Sequence, residues 1–362
     1  MALPSEMQAL QISKFNTPYE LRTVSVPQPG PYDLLVKVAV ASYCHTDAMV
    51  SSGVFKPTLP VTASHEGSGT VAAIGEAVTK FKVGDRVMCG IVLHPCGDCD
   101  ECTSTVEDRS RYCPNITGHV GVTIDGCAAD YVIVDERTST ALPDEITFLS
   151  AAPLACAGRT VYRAVLQTKL KPGQWVAIVG SGGGLGHLGI QFARAKGLKV
   201  IAIDARDEGL ALSREYGADI VVDARESKDN VVRQVKMATD GKGADSSIVL
   251  ADHTEALAAA VTRNHGTVVQ IAQPDNVTIP FAEFIFRDIR FEGSLQCSPE
   301  ESEDMVRCIA EYGVKVSTKP FYGLDKAGEL LDLVRSGKLR GKAVIVVDPA
   351  QIEEEQKIGA KF

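Results

Sequence analysis

Trp175-Val-Ala-Ile-Val179 runs directly into Gly180-Ser-Gly-Gly-Gly-Leu-Gly186. A short apolar run stops at a glycine cluster, and a helical pattern from Leu185 to Lys196 follows. Strand, glycine turn and helix in that order bring backbone close to a bound pyrophosphate and aim a helix N-terminus at its charge. The glycines fit G-x-x-G-G-x-G, from Gly180 through Gly183 and Gly184 to Gly186, with Leu185 inside the turn. That is one residue longer than the strict G-x-G-x-x-G. A ligand-free strand–helix turn would look alike, so the motif needs its context.

The context begins with the next strand, Val200 to Ile203, which ends at Asp204, 18 residues after Gly186. An acid at that place accepts both ribose hydroxyls of NAD and repels a 2′-phosphate. The alternative reading of the same acid is a cap on the following helix. Arg206, two residues on, softens the exclusion of NADP, and NAD(H) is the expected cofactor. Helical patterns near Glu208–Tyr216, Asn230–Ala238 and Glu255–Thr262 alternate with strand-like Ile220–Val222, Ser247–Leu250, Thr267–Ile271 and Ile289–Phe291. Such alternation predicts a doubly wound parallel sheet covered on both faces. The first 150 residues are instead β-rich, with runs at Asp33–Ala41, Gly69–Ile74, Asp85–Cys89 and Tyr131–Val134 punctuated by Gly and Pro. Beyond Gly293 lie a helix near Met305–Tyr312 and a strand at Ala343–Val347. Glu353-Glu354-Glu355 reads as a solvated tail.

At 362 residues the chain has room for about two domains. Its net charge of −9 argues against nucleic acid or an anionic membrane as the main partner. No apolar stretch approaches a membrane span. The first 15 residues lack the basic and apolar blocks of a signal peptide, and the last four match no peroxisomal or prenylation signal. A cytoplasmic, reducing setting is therefore expected. In that setting the clustering of Cys96, Cys99, Cys102 and Cys113 points to metal. Four thiolates close a tetrahedral zinc to substrate, which makes the site structural. Cys44, His65 and Cys156 are scattered, and no spacing rule unites them. Each alone reads as well as a core or structural residue. Together they would hold zinc with a fourth position left open, the arrangement of catalytic sites.

Cys44-His45-Thr46-Asp47, Ser64-His65-Glu66-Gly67, the Cys96–Cys113 loop, Ala155-Cys156-Ala157-Gly158 and the Gly180–Gly186 turn resemble, in order and over nearly the whole chain, the zinc-dependent alcohol dehydrogenases. These belong to the medium-chain dehydrogenase/reductase superfamily, and the yeast-type branch of fungi and bacteria is the nearest match. The resemblance implies a GroES-like, partly open β-barrel catalytic domain (1–157 and 297–362) around a Rossmann cofactor domain (158–296). It implies two Zn2+ per chain, a catalytic ion on Cys44, His65 and Cys156 and a structural one on the four-cysteine loop. Glu66 would be an exchange ligand, Asp47 the acceptor for the second ring nitrogen of His65, and Thr46 the group that takes the alcohol proton. His45 would lie near the pyrophosphate, Thr160 beside the nicotinamide, and Lys342 where the family has a pyrophosphate-pairing arginine. Lysine there keeps the charge and loses the bidentate fork. The implied function is interconversion of an alcohol with its aldehyde or ketone by hydride transfer, in a homodimer or homotetramer whose subunit contact lies near Phe281–Phe291.

Several positions depart from the family. Met49 stands where many members carry a histidine that passes the proton to solvent, which weakens alcohol oxidation near neutral pH. It favours, as an alternative, a mainly reductive enzyme acting on a bulky carbonyl or an activated C=N or C=C bond. A non-catalytic scaffold is the reading from a different class, and the intact metal set, Thr46 and Asp204 argue against it. Ten residues separate Cys102 from Cys113, where seven are usual, so a bulge is expected within Thr103–Tyr112. Ser64 replaces a glycine and is expected to perturb the turn with little chemical consequence. Phe55 stands at one position where yeast-type enzymes narrow the substrate pocket with tryptophan, the segment Ile91-Val92-Leu93 before the metal loop is shorter and holds none, and the sole Trp is Trp175. Smaller walls imply a substrate bulkier than ethanol.

Overall fold

Short apolar runs broken by Gly and Pro become short strands along the first part of the chain. In order they are β1 (Glu6–Ile12), β2 (Glu20–Ser25), β3 (Asp33–Ser42), the helix α1 (His45–Ser52), β4 (Val61–Thr62), β5 (Glu66–Ile74), β6 (Arg86–Met88), β7 (Val92–Leu93), β8 (Gly118–His119), β9 (Tyr131–Asp135), β10 (Thr140–Ala141) and α2 (Phe148–Pro153). The alternating half follows as α3 (Arg159–Gln167), β11 (Trp175–Val179), α4 (Gly186–Ala195), β12 (Lys199–Asp204), α5 (Asp207–Glu215), β13 (Ile220–Asp223), α6 (Lys228–Ala238), β14 (Ala244–Val249), α7 (Glu255–Val261), β15 (Thr262–Gln270), α8 (Phe281–Ile285) and β16 (Arg290–Gly293). The chain closes with α9 (Pro299–Tyr312), β17 (Thr318–Tyr322), α10 (Ala327–Arg335), β18 (Lys342–Val346) and α11 (Pro349–Lys357). This computed structural model describes residues 3–362. They form two units, one from the chain up to Cys156 together with Ser298–Phe362, the other Ala157–Cys297.

In the first unit β3 is the organising strand. It pairs antiparallel with β5, β9 and β18, and nine of its ten residues are buried. Its inward side chains, Leu34, Val36 and Val38, pack with Val71, Val87 and Val132 in the main core. Two registers matter for chemistry. Ser42 faces Glu66 at the last rung of β3–β5, and Val344 faces Ser42 on β18. The segments just beyond these rungs, starting at Cys44, ending at His65 and starting at Lys342, are therefore brought to one end of the sheet.

The second unit is a six-stranded parallel sheet in the order β13-β12-β11-β14-β15-β16. Val176, Ala177 and Ile178 of β11 are fully buried, as a parallel strand covered on both faces requires. Strand order reverses across β11, so the glycine turn after Val179 sits at the topological switch point, where ligands bind such sheets.

Three differences from the sequence reading have physical causes. The acidic run Glu353–Glu355 is not a free tail but part of α11. Asp348 caps that helix by accepting from Ala350 N, and Pro349 occupies its first turn. Glu355 is buried, accepting from Arg86 Nη2 and Phe148 N at 2.7 Å each. Its partners are distant in sequence, so the local pattern gave no hint. The helix expected from Met305 starts at Pro299, because Ser298 and Glu301 form a capping box. Asp204 ends β12 and does not cap α5, whose N-cap is Arg206.

Candidate metal centres and nucleotide turn

The four cysteines of the loop meet despite its extra length. Ser110–Tyr112 makes a single 3-10 turn that carries Cys113 back to the others, while Val106 in the insertion is largely exposed. Cys113 Sγ lies 3.8 Å from Cys99 Sγ and 3.5 Å from Cys96 Sγ. Those separations are too long for a disulfide. They suit a tetrahedron of zinc–sulfur bonds, whose edges are about 3.8 Å for bonds of about 2.3 Å. Burial, together with the neighbouring sulfurs, pushes the Cys102 thiol up to about 12. Sulfurs crowded in this way become compatible once a cation takes the place of their protons.

Cys44, His65, Glu66 and Cys156 form the second set, their ligand atoms all within 4.8 Å of one another. Cys44 is the N-cap of α1, and Asp47 Oδ2 accepts from its backbone N–H at 2.7 Å, the acid half of a capping box. Asp47 Oδ1 accepts from Ser64 N at 3.1 Å and lies 3.7 Å from His65 Nδ1. Cys156 sits on a wide π-helical turn, Leu154–Gly158, that continues from α2. Such turns recur at functional sites. Neither buried ring nitrogen of His65 has a hydrogen bond of ordinary length: Nδ1 faces Asp47 Oδ1 at 3.7 Å, and an absent ligand explains the other better than a structural role does. The electrostatics agree. A hydrogen bond from Cys156, with Lys342 and His65, holds the Cys44 thiol well below its ordinary value against burial. Burial alone would lower His65, yet the Cys44 sulfur and Asp47 push it well above. Opposed shifts of a thiol and an imidazole in contact are what a thiolate–imidazole metal site shows when protons stand in for the cation. The donor set fits zinc.

Lys342 completes this cluster. Its ammonium is buried and lies 2.7 Å from Glu66 Oε2. Burial raises Glu66 to about 7, with Lys342 opposing the shift. Burial would lower Lys342, but Glu66 and the Cys44 sulfur raise it and keep it cationic. The Thr46 hydroxyl oxygen is 3.9 Å from Cys44 Sγ. His45 is exposed on the first turn of α1, and Met49 is half-buried on the same helix. Phe55 packs against Ile12, Val50, Val61 and Val122. Ile91 and Leu93 are buried, and Leu93 belongs to the main core.

In the second unit the turn after β11 leads into α4, whose first residue is Gly186. Asp204 Oδ2 accepts from Gly182 N at 2.8 Å, and Oδ1 accepts from Arg206 N at 3.0 Å. Arg206 Nη2 donates to Gly182 O at 3.1 Å. Acid and guanidinium are therefore both tied to the glycine turn. Thr160 is buried in α3 of the same unit. Sequence reasoning passed over Gly182, although a Cβ there would collide with the Gly209 backbone. The available signal was the leading G-x-G, Gly180 and Gly182, which the longer template skipped. It also passed over the contacts of Ser64 and the Lys342–Glu66 pair, which depend on sheet register.

A doubly wound parallel sheet with a glycine turn and an acid-terminated second strand, joined to a mostly antiparallel unit with one closed and one mixed thiolate–imidazole set, defines a zinc-binding dehydrogenase. Comparison with known proteins agrees. Residues 30–144 match the alcohol dehydrogenase GroES-like domain, and residues 184–311 match the zinc-binding dehydrogenase domain. An alcohol dehydrogenase of Geobacillus stearothermophilus is 33% identical over 349 residues, covering 94% of this chain and 100% of the relative. Alcohol dehydrogenase 1 of Neurospora crassa is 35% identical, covering 95% of this chain and 98% of the relative. The crystal structure of the alcohol dehydrogenase from Aeropyrum pernix superposes with a TM-score of 0.84 at 31% identity, covering 94% and 99% of the two chains. The chain belongs to the zinc-dependent alcohol dehydrogenases of the medium-chain dehydrogenase/reductase superfamily, and it is an oxidoreductase of alcohols and carbonyls.

Proposed function

We propose that the protein interconverts an alcohol bulkier than ethanol with its aldehyde or ketone, using NAD(H), and that carbonyl reduction is its favoured direction near neutral pH. One observation carries the reading: three donors, Cys44, His65 and Cys156, converge while the fourth, Glu66, is held by Lys342 at 2.7 Å. A carboxylate committed to an ammonium is a poorer ligand, which leaves a coordination position for substrate. When bound, zinc supplies a Lewis acid for the substrate oxygen and the nicotinamide supplies or accepts the hydride.

The chain's own residues orient and move protons. Asp47 fixes the backbone of Cys44 and the ring of His65 from behind. Thr46, beside Cys44, holds the hydroxyl proton of the alcohol or returns it to the product. From Thr46 the path to solvent cannot pass through Met49, whose thioether carries no proton, so oxidation has to use the cofactor ribose or water. On the cofactor, Asp204 accepts from the ribose hydroxyls, the backbone of Gly180, Gly183, Gly184, Leu185 and Gly186 approaches the pyrophosphate, and Thr160 lies by the nicotinamide. Arg206 meets the adenosine side, and His45 the pyrophosphate. Lys342 keeps the positive charge that the resemblance gives to pyrophosphate, with Glu66 as its present partner. The four-cysteine ion is structural.

The homo-oligomer reading is supported by an apolar patch. Phe281, Ile285 and Phe286 are each about 70% exposed, beside β16, an outer strand of the parallel sheet. Such a patch marks an interaction surface. Among the described residues no helix is long and apolar enough to cross a membrane, and a chain that gathers six of its ten cysteines into two metal-holding groups suits a reducing cytoplasm. The test follows absorbance at 340 nm with NADH and NADPH against aliphatic and aromatic aldehydes, with and without a zinc chelator. Chelator-sensitive NADH oxidation, aromatic aldehydes ahead of acetaldehyde, is expected. NADPH preference would refute the Asp204 assignment, and turnover restricted to C=N or C=C substrates would refute the carbonyl reading.

A further inference from the structure

Ser64 immediately precedes His65 and adopts φ +72°. A side chain is strained in that left-handed region, and glycine is the residue that enters it freely. Strained residues persist where their surroundings over-determine them, commonly at functional sites. Here the side chain makes contacts that glycine could not. Ser64 Oγ lies 2.9 Å from Ser42 O and 3.1 Å from Glu66 O, both within its reach as a donor, and accepts from Glu66 N at 3.3 Å. Ser42 and Glu66 are the last register pair of β3 and β5. Past that rung the strands part, one toward Cys44 and the other back to His65. The hydroxyl thus adds a rung at the fork. The backbone is held as well: Ser64 N donates to Asp47 Oδ1 at 3.1 Å, and Ser64 O accepts from Cys127 N at 2.6 Å. Behind it stands Gly121, where a Cβ would collide with Ser64 and with His65 N. The segment has no room to relax.

We propose that Ser64 is a positioning residue for the Cys44–His65–Glu66–Cys156 centre, its hydroxyl fixing the separation of the two strand ends that carry Cys44 and His65. The proposal rests on the reading that these residues hold zinc. It assigns Ser64 no contact with substrate or metal. Its action is on the residence of the ion, since donors free to drift apart release a cation faster than donors held at binding distance.

The test compares the parent with Ser64→Ala and Ser64→Gly. Alanine keeps the strain and deletes the hydroxyl, whereas glycine removes both, so glycine decides alone should alanine fail to fold. Zinc release to a chromophoric chelator is timed for both ions of the chain, and the visible spectrum of the cobalt(II)-substituted protein is recorded. Both variants are expected to release one ion at least tenfold faster, to leave the four-cysteine ion within twofold, and to shift the cobalt bands. Release of both ions within twofold of the parent, with unchanged cobalt bands, would overturn the proposal even if the melting temperature fell. A parent chain that binds a single ion would overturn the reading of the centre, and the proposal with it.

Discussion

Asp47 shows how much one carboxylate organises. One oxygen ties the Cys44 amide, and the other faces the Ser64 amide and the His65 ring. Asp204 plays the comparable part in the other unit, bonded to the amides of Gly182 and Arg206. Because those two bonds go to backbone, Asp204→Asn keeps an acceptor for one of them and removes the charge. A hydrogen bond to a charged group is worth about 1.5–3 kcal/mol. The NADH-to-NADPH ratio of kcat/KM should therefore fall by about 10- to 100-fold, with Arg206 left to meet the 2′-phosphate. An unchanged ratio in steady-state assays would remove Asp204 from cofactor choice. At this scale legibility follows locality. Cys96, Cys99, Cys102 and Cys113 were readable because metal spacing is written in one loop. Cys44, His65 and Cys156 could be united only through motif resemblance, since sheet register and a π turn, not sequence distance, bring them together. Ser64 looked inconsequential because its partners Ser42 and Glu66 become neighbours only when β3 pairs with β5.

Among the elements, α11 best shows what the sequence withheld. Three consecutive acids carry no local reason to be buried, and the reason for Glu355 is Arg86, whose side chain is itself mostly buried. Removing one partner of a buried pair costs about 3–5 kcal/mol. Arg86 still donates to Pro143 O and Ile146 O, so Glu355→Ala should cost about 3 kcal/mol in urea unfolding. Glu355→Gln, which preserves an acceptor for Phe148 N, should cost less. At the other end of the helix Asp348 lies 2.6 Å from Lys37 Nζ. Burial would raise Asp348, but the Lys37 contact outweighs it and holds the carboxyl below its usual range. A depressed acid stabilises the fold in full above its unfolded value, about pH 3.9, and loses that stabilisation as pH falls through the folded value. Asp348→Asn should then flatten the stability curve below about pH 4 and cost about 1 kcal/mol at pH 7. A parallel loss of stability on acidification in both proteins would show that the pair does not contribute. The β11–α4 turn was legible since its glycines and apolar strand are contiguous. Helices such as α1 and α3 were not read, because their apolar faces are judged against strands elsewhere in the chain.

For the whole molecule, the proposed assembly rests on the second unit's outer strand. Among the described residues β16 has a strand neighbour, β15, on one side only, and unpaired strand edges recruit further strands unless charge or cover prevents it. On α8 and the turn after it, Phe281, Ile285 and Phe286 face solvent, and Phe281 and Phe286 already stack edge-on at 6.0 Å. Fully covering one such side chain is worth about 1.5–3 kcal/mol, so three of them on each of two copies outweigh much of the entropy lost on association. A two-fold contact is self-complementary, which doubles the effect of any single substitution. Phe281→Asp with Ile285→Asp should therefore yield monomers by light scattering at micromolar concentration while the parent remains a dimer or larger. Both side chains are exposed, so the melting temperature of the double variant should fall only through the loss of assembly and should become independent of protein concentration. A double variant that stays oligomeric would move the contact away from β16 and leave this patch without a partner.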